Sequence, residues 1–277
     1  MTIWQAIILG VIQGLTEFLP ISSSGHLILV PWLFHWEIFH HPALNKTFDV
    51  ALHFGTFVGV AVFFRRDIVR LARAWLRSIA QRSLQGDPYR KLAWLVIIST
   101  IPGGAAGVLF GDVIEQRLGA PLLIGLLLVG VGLLLALAEW VGRHRRDFDS
   151  VSWGDSIVIG LAQAIALVPG ASRSGITIAT GLFANLRREA AARYSFLISI
   201  PIIGGAAAAK GVQVMHSGIP AGMEWPFVVG VLSATVSGYA VIKFFLAYLQ
   251  RGTLHPFVVY RVAVGVLVVC LAARGLV

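Results

Sequence analysis

Charged residues are scarce in this chain, at 13% of 277 residues, whereas soluble domains carry about 25%. Apolar residues make up 57% of the sequence, and the mean hydropathy is +0.82. Apolar stretches recur from one end to the other, and no polar stretch is long enough to form a soluble domain of any size. The composition excludes an ordinary soluble protein and predicts a chain that lies in lipid.

Cysteine occurs once, as Cys270 in a C-terminal apolar run, which excludes an intrachain disulfide and a metal site built from cysteines. Acidic residues are also few, with 13 Asp and Glu against 22 Lys and Arg. The arginines lie mostly in short loops between apolar segments, where membrane topology and anionic lipid explain them. We therefore expect membrane lipids as partners, and no nucleic acid.

Six apolar segments each have about the 20 residues that a helix needs to cross the hydrocarbon core. They lie near residues 47–64, 91–110, 119–141, 190–210, 226–249 and 256–276. Two further segments, 3–34 and 155–185, are too long for one crossing, and polar clusters interrupt both. The sequence predicts an all-α polytopic membrane protein with six spanning helices and two re-entrant helix pairs, in one integral membrane domain over residues 1–277.

An internal repeat relates the two re-entrant segments. At an offset of 150 residues, five positions carry the same residue: Gly10 and Gly160, Gln13 and Gln163, Ser22 and Ser172, Ser24 and Ser174, and Gly25 and Gly175. Each half, about 1–141 and 152–277, would hold one re-entrant pair and three crossings, so the second copy is inverted. Broken helices in inverted repeats place a site near the membrane midplane, and we expect the two breaks to meet in the protein interior.

Lysine and arginine collect in cytoplasmic loops, so their distribution predicts the topology. The basic connections lie near residues 65–91, 143–146, 187–193 and 251. The connections 111–118 and 211–225 contain a single lysine or arginine between them, Arg117. Both termini are then predicted to lie outside, with the first re-entrant pair entering from the external side and the second from the cytoplasm.

The first polar cluster reads QGLTEFLPISSSGHL. Gln13 and Glu17 are four residues apart on one helical face, and Ser23 and His26 are three apart on the next helix. A carboxylate inside the membrane marks a functional site, and a serine within reach of an imidazole predicts a nucleophile with its base. A structural glutamate paired with an arginine, and a histidine that only packs, are the alternatives.

The second polar cluster reads PGASRSGIT, from Pro169 to Thr177. It places Arg173 among the hydroxyls of Ser172, Ser174 and Thr177 at the start of a helix. Backbone N–H groups at a helix N-terminus favour phosphate, and a guanidinium adds permanently charged donors. The pattern predicts an anion site, with an Arg173 that only pairs with Glu17 as the alternative.

The motifs QGLTEFLPISSSGH and PGASRSGIT, with their spacing, resemble the undecaprenyl pyrophosphate phosphatases of the BacA/UppP type over nearly the whole chain. The resemblance implies a multi-pass enzyme of the bacterial inner membrane, with its active site open to the periplasmic or external side. Such an enzyme hydrolyses the polyprenyl pyrophosphate to the monophosphate, recycles the lipid carrier of cell-wall synthesis and confers bacitracin resistance.

Carried over by position, the resemblance implies catalytic roles for Ser23, His26, Glu17 and Arg173. The expected phosphate-binding residues, besides Arg173, are Ser22, Ser172, Ser174 and Thr177 from the resemblance, and Ser24 and Gly25 from their place at the helix start. It also implies a divalent cation, Mg²⁺ or Ca²⁺, held by Glu17 and Gln13. The family has Glu or Gln at the first acidic position, and Gln13 here argues against a cation held by two carboxylates.

A secondary transporter or a flippase for a phosphorylated polyprenyl lipid is the competing hypothesis, because inverted repeats with broken helices are also a transporter architecture. A nucleophile with a base beside Arg173 favours hydrolysis, since transport requires neither. The run GGAAAAK from Gly204 to Lys210 permits close helix packing within a monomer or across a homodimer equally well.

Overall fold

The computed structural model describes residues 1–36, 42–218 and 222–274. These residues form eleven α-helices and no β-strand. The helices are α1 Ile3–Phe18, α2 Ser23–Leu33, α3 Pro42–Phe63, α4 Arg65–Ala80, α5 Pro88–Arg117, α6 Pro121–Val141, α7 Trp153–Ile165, α8 Arg173–Phe183, α9 Arg188–Ser217, α10 Glu224–Leu249 and α11 His255–Ala273.

Six helices in the described part of the chain, α3, α5, α6, α9, α10 and α11, are long and apolar enough to cross a membrane. Their candidate spans are Leu44–Phe63, Pro88–Gly111, Pro121–Val141, Arg188–Ala209, Glu224–Leu249 and His255–Ala273. Each coincides with one predicted span, so the all-α polytopic architecture is confirmed. The external termini and the re-entrant course of α1–α2 and α7–α8 stay predictions.

The two predicted helix breaks have the same local geometry. Ser22 caps α2 by accepting a hydrogen bond from the Gly25 N–H at 3.3 Å, and Ser172 caps α8 by accepting one from the Gly175 N–H at 3.0 Å. Both serines have a positive φ, 77° and 70°, which is uncommon outside glycine. The two breaks are therefore built alike at positions that are equivalent in the predicted repeat.

Arg261 of α11 joins the two breaks in the protein interior. Its side chain is fully buried. The guanidinium donates to five backbone carbonyls: Pro20 at 3.1 Å in the first break, Gly170 and Ala171 at 3.1 and 3.3 Å in the second, and Leu127 and Leu128 at 3.2 Å each in α6. The expectation that the breaks meet inside the protein is confirmed, through a residue that neither polar motif contains.

The polar connection between the two halves is fixed by Arg146. Its guanidinium donates to the Asp155 carboxylate at 2.6 Å and to the Ala184 carbonyl at 2.9 Å. The hydrogen bonds to Asp155 raise the pKa of Arg146 above its usual value. The start of α7 and the end of α8 are thereby tied to the same loop.

Glycines let α1 lie directly against α10. A Cβ at Gly10 would come within 2.5 Å of the Gly230 carbonyl oxygen, and one at Gly14 within 2.6 Å of the Gly238 nitrogen. Such backbone contacts leave no room for a side chain, and small residues commonly permit this approach between membrane helices. The packing holds α1 against α10, and therefore fixes where Glu17 lies.

We expect Gly14→Ala to lower the thermal stability of the detergent-purified protein, because the new methyl group would overlap Gly238 and Ser237. Overpacking of this kind costs about 1–3 kcal/mol. Tryptophan fluorescence during heating gives the unfolding midpoint. Gly107→Ala is the control, since a Cβ there meets nothing within 4 Å. An equal midpoint for both variants would contradict the proposed tight contact.

Candidate active site

Glu17 is the centre of the polar cluster between the two breaks. It lies in the last turn of α1 and is only 7% exposed. Its Oε2 atom accepts hydrogen bonds from Ser23 Oγ at 2.6 Å and from Gln13 Nε2 at 3.0 Å. Its Oε1 atom accepts one from Arg173 NH2 at 3.0 Å. One carboxylate thus links the two motifs, through two residues that are 156 positions apart.

Arg173 pairs with Glu17 and keeps further donors for an anion. Its NH1 atom is buried and has no hydrogen-bond partner among the described residues. Buried polar atoms are normally bonded, so an orphaned guanidinium nitrogen beside a helix start points to a ligand oxygen. Pairing with Glu17 and binding of an anion are therefore compatible.

Ser23 contacts Glu17 and not His26. His26 Nδ1 lies 2.6 Å from the Ser22 carbonyl oxygen, and Nε2 lies 2.8 Å from the Tyr260 hydroxyl. Because a carbonyl only accepts, Nδ1 carries the proton and a neutral ring accepts from Tyr260 through Nε2. No hydrogen bond joins Ser23 and His26 in the described structure. The expected contact between Ser23 and His26 is absent from the described residues, because the ring bonds to the Ser22 carbonyl and to Tyr260 of α11. A catalytic role for His26 stays a prediction.

Tyr260 is a site residue that the motifs do not reveal. Its ring stacks on His26 with centroids 5.7 Å apart and an interplanar angle of 14°. Together with the Ser22 carbonyl it fixes the orientation and the tautomer of the imidazole. Tyr260 and Arg261 are adjacent on α11, so this one helix positions both His26 and the two breaks.

His53 of α3 is a second side chain that sequence reasoning missed. Its Nδ1 donates to the Asp49 carbonyl at 2.8 Å, which leaves Nε2 facing Glu17 Oε2 at 3.7 Å. The side chain is 35% exposed, whereas Glu17 is buried. An ionisable residue inside a predicted span was the available signal. His53 is therefore a partly exposed imidazole beside the buried Glu17 carboxylate.

The hydroxyls of the arginine motif are bonded within the protein. Ser174 Oγ donates to the Leu19 carbonyl at 2.9 Å in the first break. Thr177 Oγ1 donates to the Arg173 carbonyl at 2.7 Å and lies 2.6 Å from Ser195 Oγ. These bonds hold the start of α8 against the first break. Direct phosphate binding by Ser172, Ser174 and Thr177 stays a prediction.

The expected phosphate ligands of the first motif lie at the start of α2. Ser24 is partly exposed, whereas Gly25 is buried. A Cβ on Gly25 would lie 3.2 Å from Ile124 of α6 and 3.5 Å from the Gly170 Cα. This close approach brings the starts of α2 and α8 near the same point. Two helix N-termini next to one guanidinium make a region suited to an anion.

The site fits a divalent cation only in part. Gln13 Oε1 is buried and has no hydrogen-bond partner among the described residues, while Nε2 of the same side chain donates to Glu17. An amide oxygen beside a carboxylate suits Mg²⁺ or Ca²⁺. The described part of the chain contains no group of three or more His, Cys, Asp or Glu placed to hold a metal. Substrate oxygens and water would have to complete the coordination.

The amino-acid sequence matches one known protein family over most of its length. A family profile described as bacitracin resistance protein BacA matches residues 6–267. The chain belongs to this family. The match includes most of α1, all of α2 and α8, and α11 as far as residue 267, and these helices carry the residues around Glu17 and Arg173.

Curated relatives share the full length of the chain. A protein named undecaprenyl-diphosphatase from Pelobacter propionicus is 47% identical over 277 residues, which is 100% of this chain and 99% of the relative. The undecaprenyl-diphosphatase of Moorella thermoacetica is 47% identical over 270 residues, covering 97% of each chain. That of Thermomicrobium roseum is 43% identical over 272 residues, covering 96% of each. The chain is therefore similar to these BacA-family proteins from end to end.

Proposed function

We propose that this chain is an integral membrane phosphatase that hydrolyses undecaprenyl pyrophosphate to undecaprenyl phosphate and inorganic phosphate. The observation that carries the proposal is the hydrogen-bonded series Ser23, Glu17 and Arg173, in which Arg173 NH1 stays buried and unbonded. It combines a hydroxyl, a proton acceptor and an anion site at one point. The names of the full-length relatives support the same substrate.

Binding is proposed to begin at Arg173. The free NH1 atom and the N–H groups at the starts of α2 and α8 would take the oxygens of the terminal phosphoryl group. The same donors stabilise the charge on the equatorial oxygens as the phosphoryl group is transferred. The isoprenoid tail would lie in the bilayer or against the apolar helix surfaces.

Ser23 is the proposed nucleophile, and Glu17 takes its proton. As Ser23 Oγ forms a bond to the terminal phosphorus, the bond to the bridging oxygen breaks and undecaprenyl phosphate leaves. Water then attacks the phosphoserine, releases inorganic phosphate and restores the hydroxyl. The Ser23–Glu17 distance of 2.6 Å supports direct proton transfer. His53, beside Glu17 and partly exposed, would pass protons to water.

His26 is proposed to hold the start of α2 in place. Both of its ring nitrogens are within hydrogen-bond distance of other groups, at 2.6 and 2.8 Å. The imidazole thereby fixes the Ser22 carbonyl next to Ser23. We expect substitution of His26 to reduce turnover, because the hydroxyl of Ser23 would no longer be held in position at the start of α2.

A divalent cation, Mg²⁺ or Ca²⁺, is proposed to be held by Glu17 and the free Gln13 Oε1, together with pyrophosphate oxygens and water. When bound, it would neutralise charge on the pyrophosphate. The protein would still supply the nucleophile, the proton acceptor and the guanidinium from its own side chains.

The protein is proposed to lie in the bacterial inner membrane with the site open to the periplasmic or external side. The arginine-rich connections around α4 and around Arg146 would then be cytoplasmic. Recycling of the cell-wall lipid carrier and bacitracin resistance follow from this activity on the external leaflet.

Phosphate release from undecaprenyl pyrophosphate by the detergent-purified protein tests the proposal. We expect release that is lost on addition of a chelator and restored by Mg²⁺ or Ca²⁺. Arg173→Ala should abolish release, with Arg145→Ala, an exposed loop arginine, as the matched control. Phosphate release that persists in the presence of chelator would contradict the proposed requirement for a divalent cation. Absence of release under every condition would favour the transport of a phosphorylated lipid.

A further inference from the structure

The arginine-rich connection after the third helix is itself helical. The sequence predicts a loop here, whereas the structure shows α4 over Arg65–Ala80, separated by the single residue Phe64 from the end of α3 at Phe63. Because α3 is a spanning helix, α4 begins at a membrane boundary. A helix at that position lies among lipid headgroups unless it turns away from the bilayer.

The inner face of α4 fixes its orientation. Leu71 and Ala74 are buried. Ser78 Oγ accepts a hydrogen bond from Trp94 Nε1 of α5 at 2.9 Å, and Asp67 accepts one from Arg193 of α9 at 2.9 Å. These contacts hold one side of the helix against the spanning bundle. The rest of the α4 surface faces away from the bundle, and its exposed residues form two stripes along the helix.

One outward side is a stripe of arginines. Arg66, Arg70, Arg73 and Arg77 recur at helical spacing and are all exposed, so they lie along one face. Within the described residues, none of the four forms an ion pair. With Arg65, Val69, Ala74 and Asp87 they line an open cavity of about 620 Å³. Asp87 already caps α5 by accepting from the Tyr89 N–H at 2.9 Å.

The other outward side is an apolar stripe. Val69, Leu76 and Ile79 are 46%, 59% and 47% exposed. They share a helical face that lies next to the arginine face and away from the buried face. Large exposed apolar side chains on a helix beside a membrane boundary are typical of a helix that lies in the interface.

We infer that α4 is a binding site for anionic phospholipid headgroups at the membrane surface. Leu76 and Ile79 insert between acyl chains, Val69 lies at the border between the apolar stripe and the arginine-lined cavity, and that cavity takes the headgroup phosphates. The four guanidinium groups have no ion-pair partner among the described residues, although that of Arg70 stacks on the Tyr89 ring at 3.6 Å, and they match the negative charge of such a surface. The site is separate from the cluster around Glu17, and it determines which lipids surround the protein.

Native mass spectrometry of the full-length protein in detergent, titrated with phosphatidylglycerol or phosphatidylcholine, tests this inference. We expect replacement of Arg66, Arg70, Arg73 and Arg77 by Gln to weaken phosphatidylglycerol binding at least about tenfold. Phosphatidylcholine binding should not change. The control replaces Arg82, Arg143, Arg145 and Arg251 by Gln, which removes the same charge from exposed positions outside α4.

Three results would overturn the inference. The first is equal phosphatidylglycerol affinity in the wild type and the α4 variant, and the second is an equal loss in the control variant. The third is displacement of the lipid by inorganic phosphate at similar concentrations, which would indicate a site for a soluble anion. A circular dichroism spectrum and an elution volume like those of the wild type establish that the α4 variant is folded.

Insertion depth gives an independent test. In a Cys270→Ser background, a fluorophore attached through Leu76→Cys in a phosphatidylglycerol nanodisc should be quenched by brominated acyl chains. The same fluorophore attached through Arg77→Cys, on the arginine face, should be quenched less. Equal and weak quenching at the two neighbouring positions would show that the apolar stripe does not enter the bilayer.

Discussion

Ser23→Ala is expected to reduce phosphate release by about a thousandfold or more. The substitution removes the oxygen that would bond to phosphorus and leaves only direct attack by water. It also removes the 2.6 Å hydrogen bond to Glu17 Oε2, while Gln13 and Arg173 still hold that carboxylate. Because the change is small and the partners stay satisfied, we expect the fold and substrate binding to persist.

Initial rates at saturating undecaprenyl pyrophosphate give this loss directly, and rapid acid quenching followed by intact mass measurement would detect phosphoserine in the wild type. Ser150→Ala, an exposed serine in the loop before α7, is the control and should keep full activity. Near-normal turnover by Ser23→Ala would rule out the covalent route and leave Glu17 as the base for water.

Arg261→Met is expected to destabilise the whole protein by about 4 kcal/mol or more. Methionine is shorter and donates nothing, so five buried carbonyls in both breaks and in α6 would lose the hydrogen bonds from Arg261. Each orphaned buried group costs about 1–3 kcal/mol, although such losses do not add fully. The starts of α2 and α8 should separate, and activity should fall with stability.

The midpoint of thermal unfolding, followed by tryptophan fluorescence in detergent, measures this effect. Arg261→Lys should be intermediate, because an ammonium keeps the charge but cannot reach all five carbonyls. Arg274→Met, an exposed arginine at the end of the same helix, is the control. An unchanged midpoint in Arg261→Met would show that the breaks are held together by other contacts.

Hydropathy located the spanning helices well but not their ends. The predicted spans 119–141 and 226–249 nearly coincide with α6 and α10. In contrast, α5 starts at Pro88 and runs to Arg117, beyond the predicted 91–110. Asp87 caps its start and Pro88 occupies the first turn, so the helix extends into polar sequence. Apolar runs mark contact with lipid, whereas hydrogen bonds decide where a helix begins and ends.

The sequence by itself determined the properties that depend on neighbours along the chain. These are the six apolar spans, the two breaks at proline and serine, and the ionisable residues left inside the membrane. Glu17, Ser23 and Arg173 stand out because a charge or a hydroxyl cluster is costly in lipid wherever the chain folds. Repeated motifs also marked the two breaks as related.

Only the tertiary structure decided which of these groups meet. Arg261 and Pro20 are 241 residues apart, and no local pattern links them. His26 stands three residues after Ser23, yet its ring turns to Tyr260 on the last helix while Ser23 turns to Glu17. Side-chain direction depends on helix caps and on which helices pack together. Contacts that cross the bundle therefore decided that Ser23 meets Glu17 and that Arg261 bonds to both breaks.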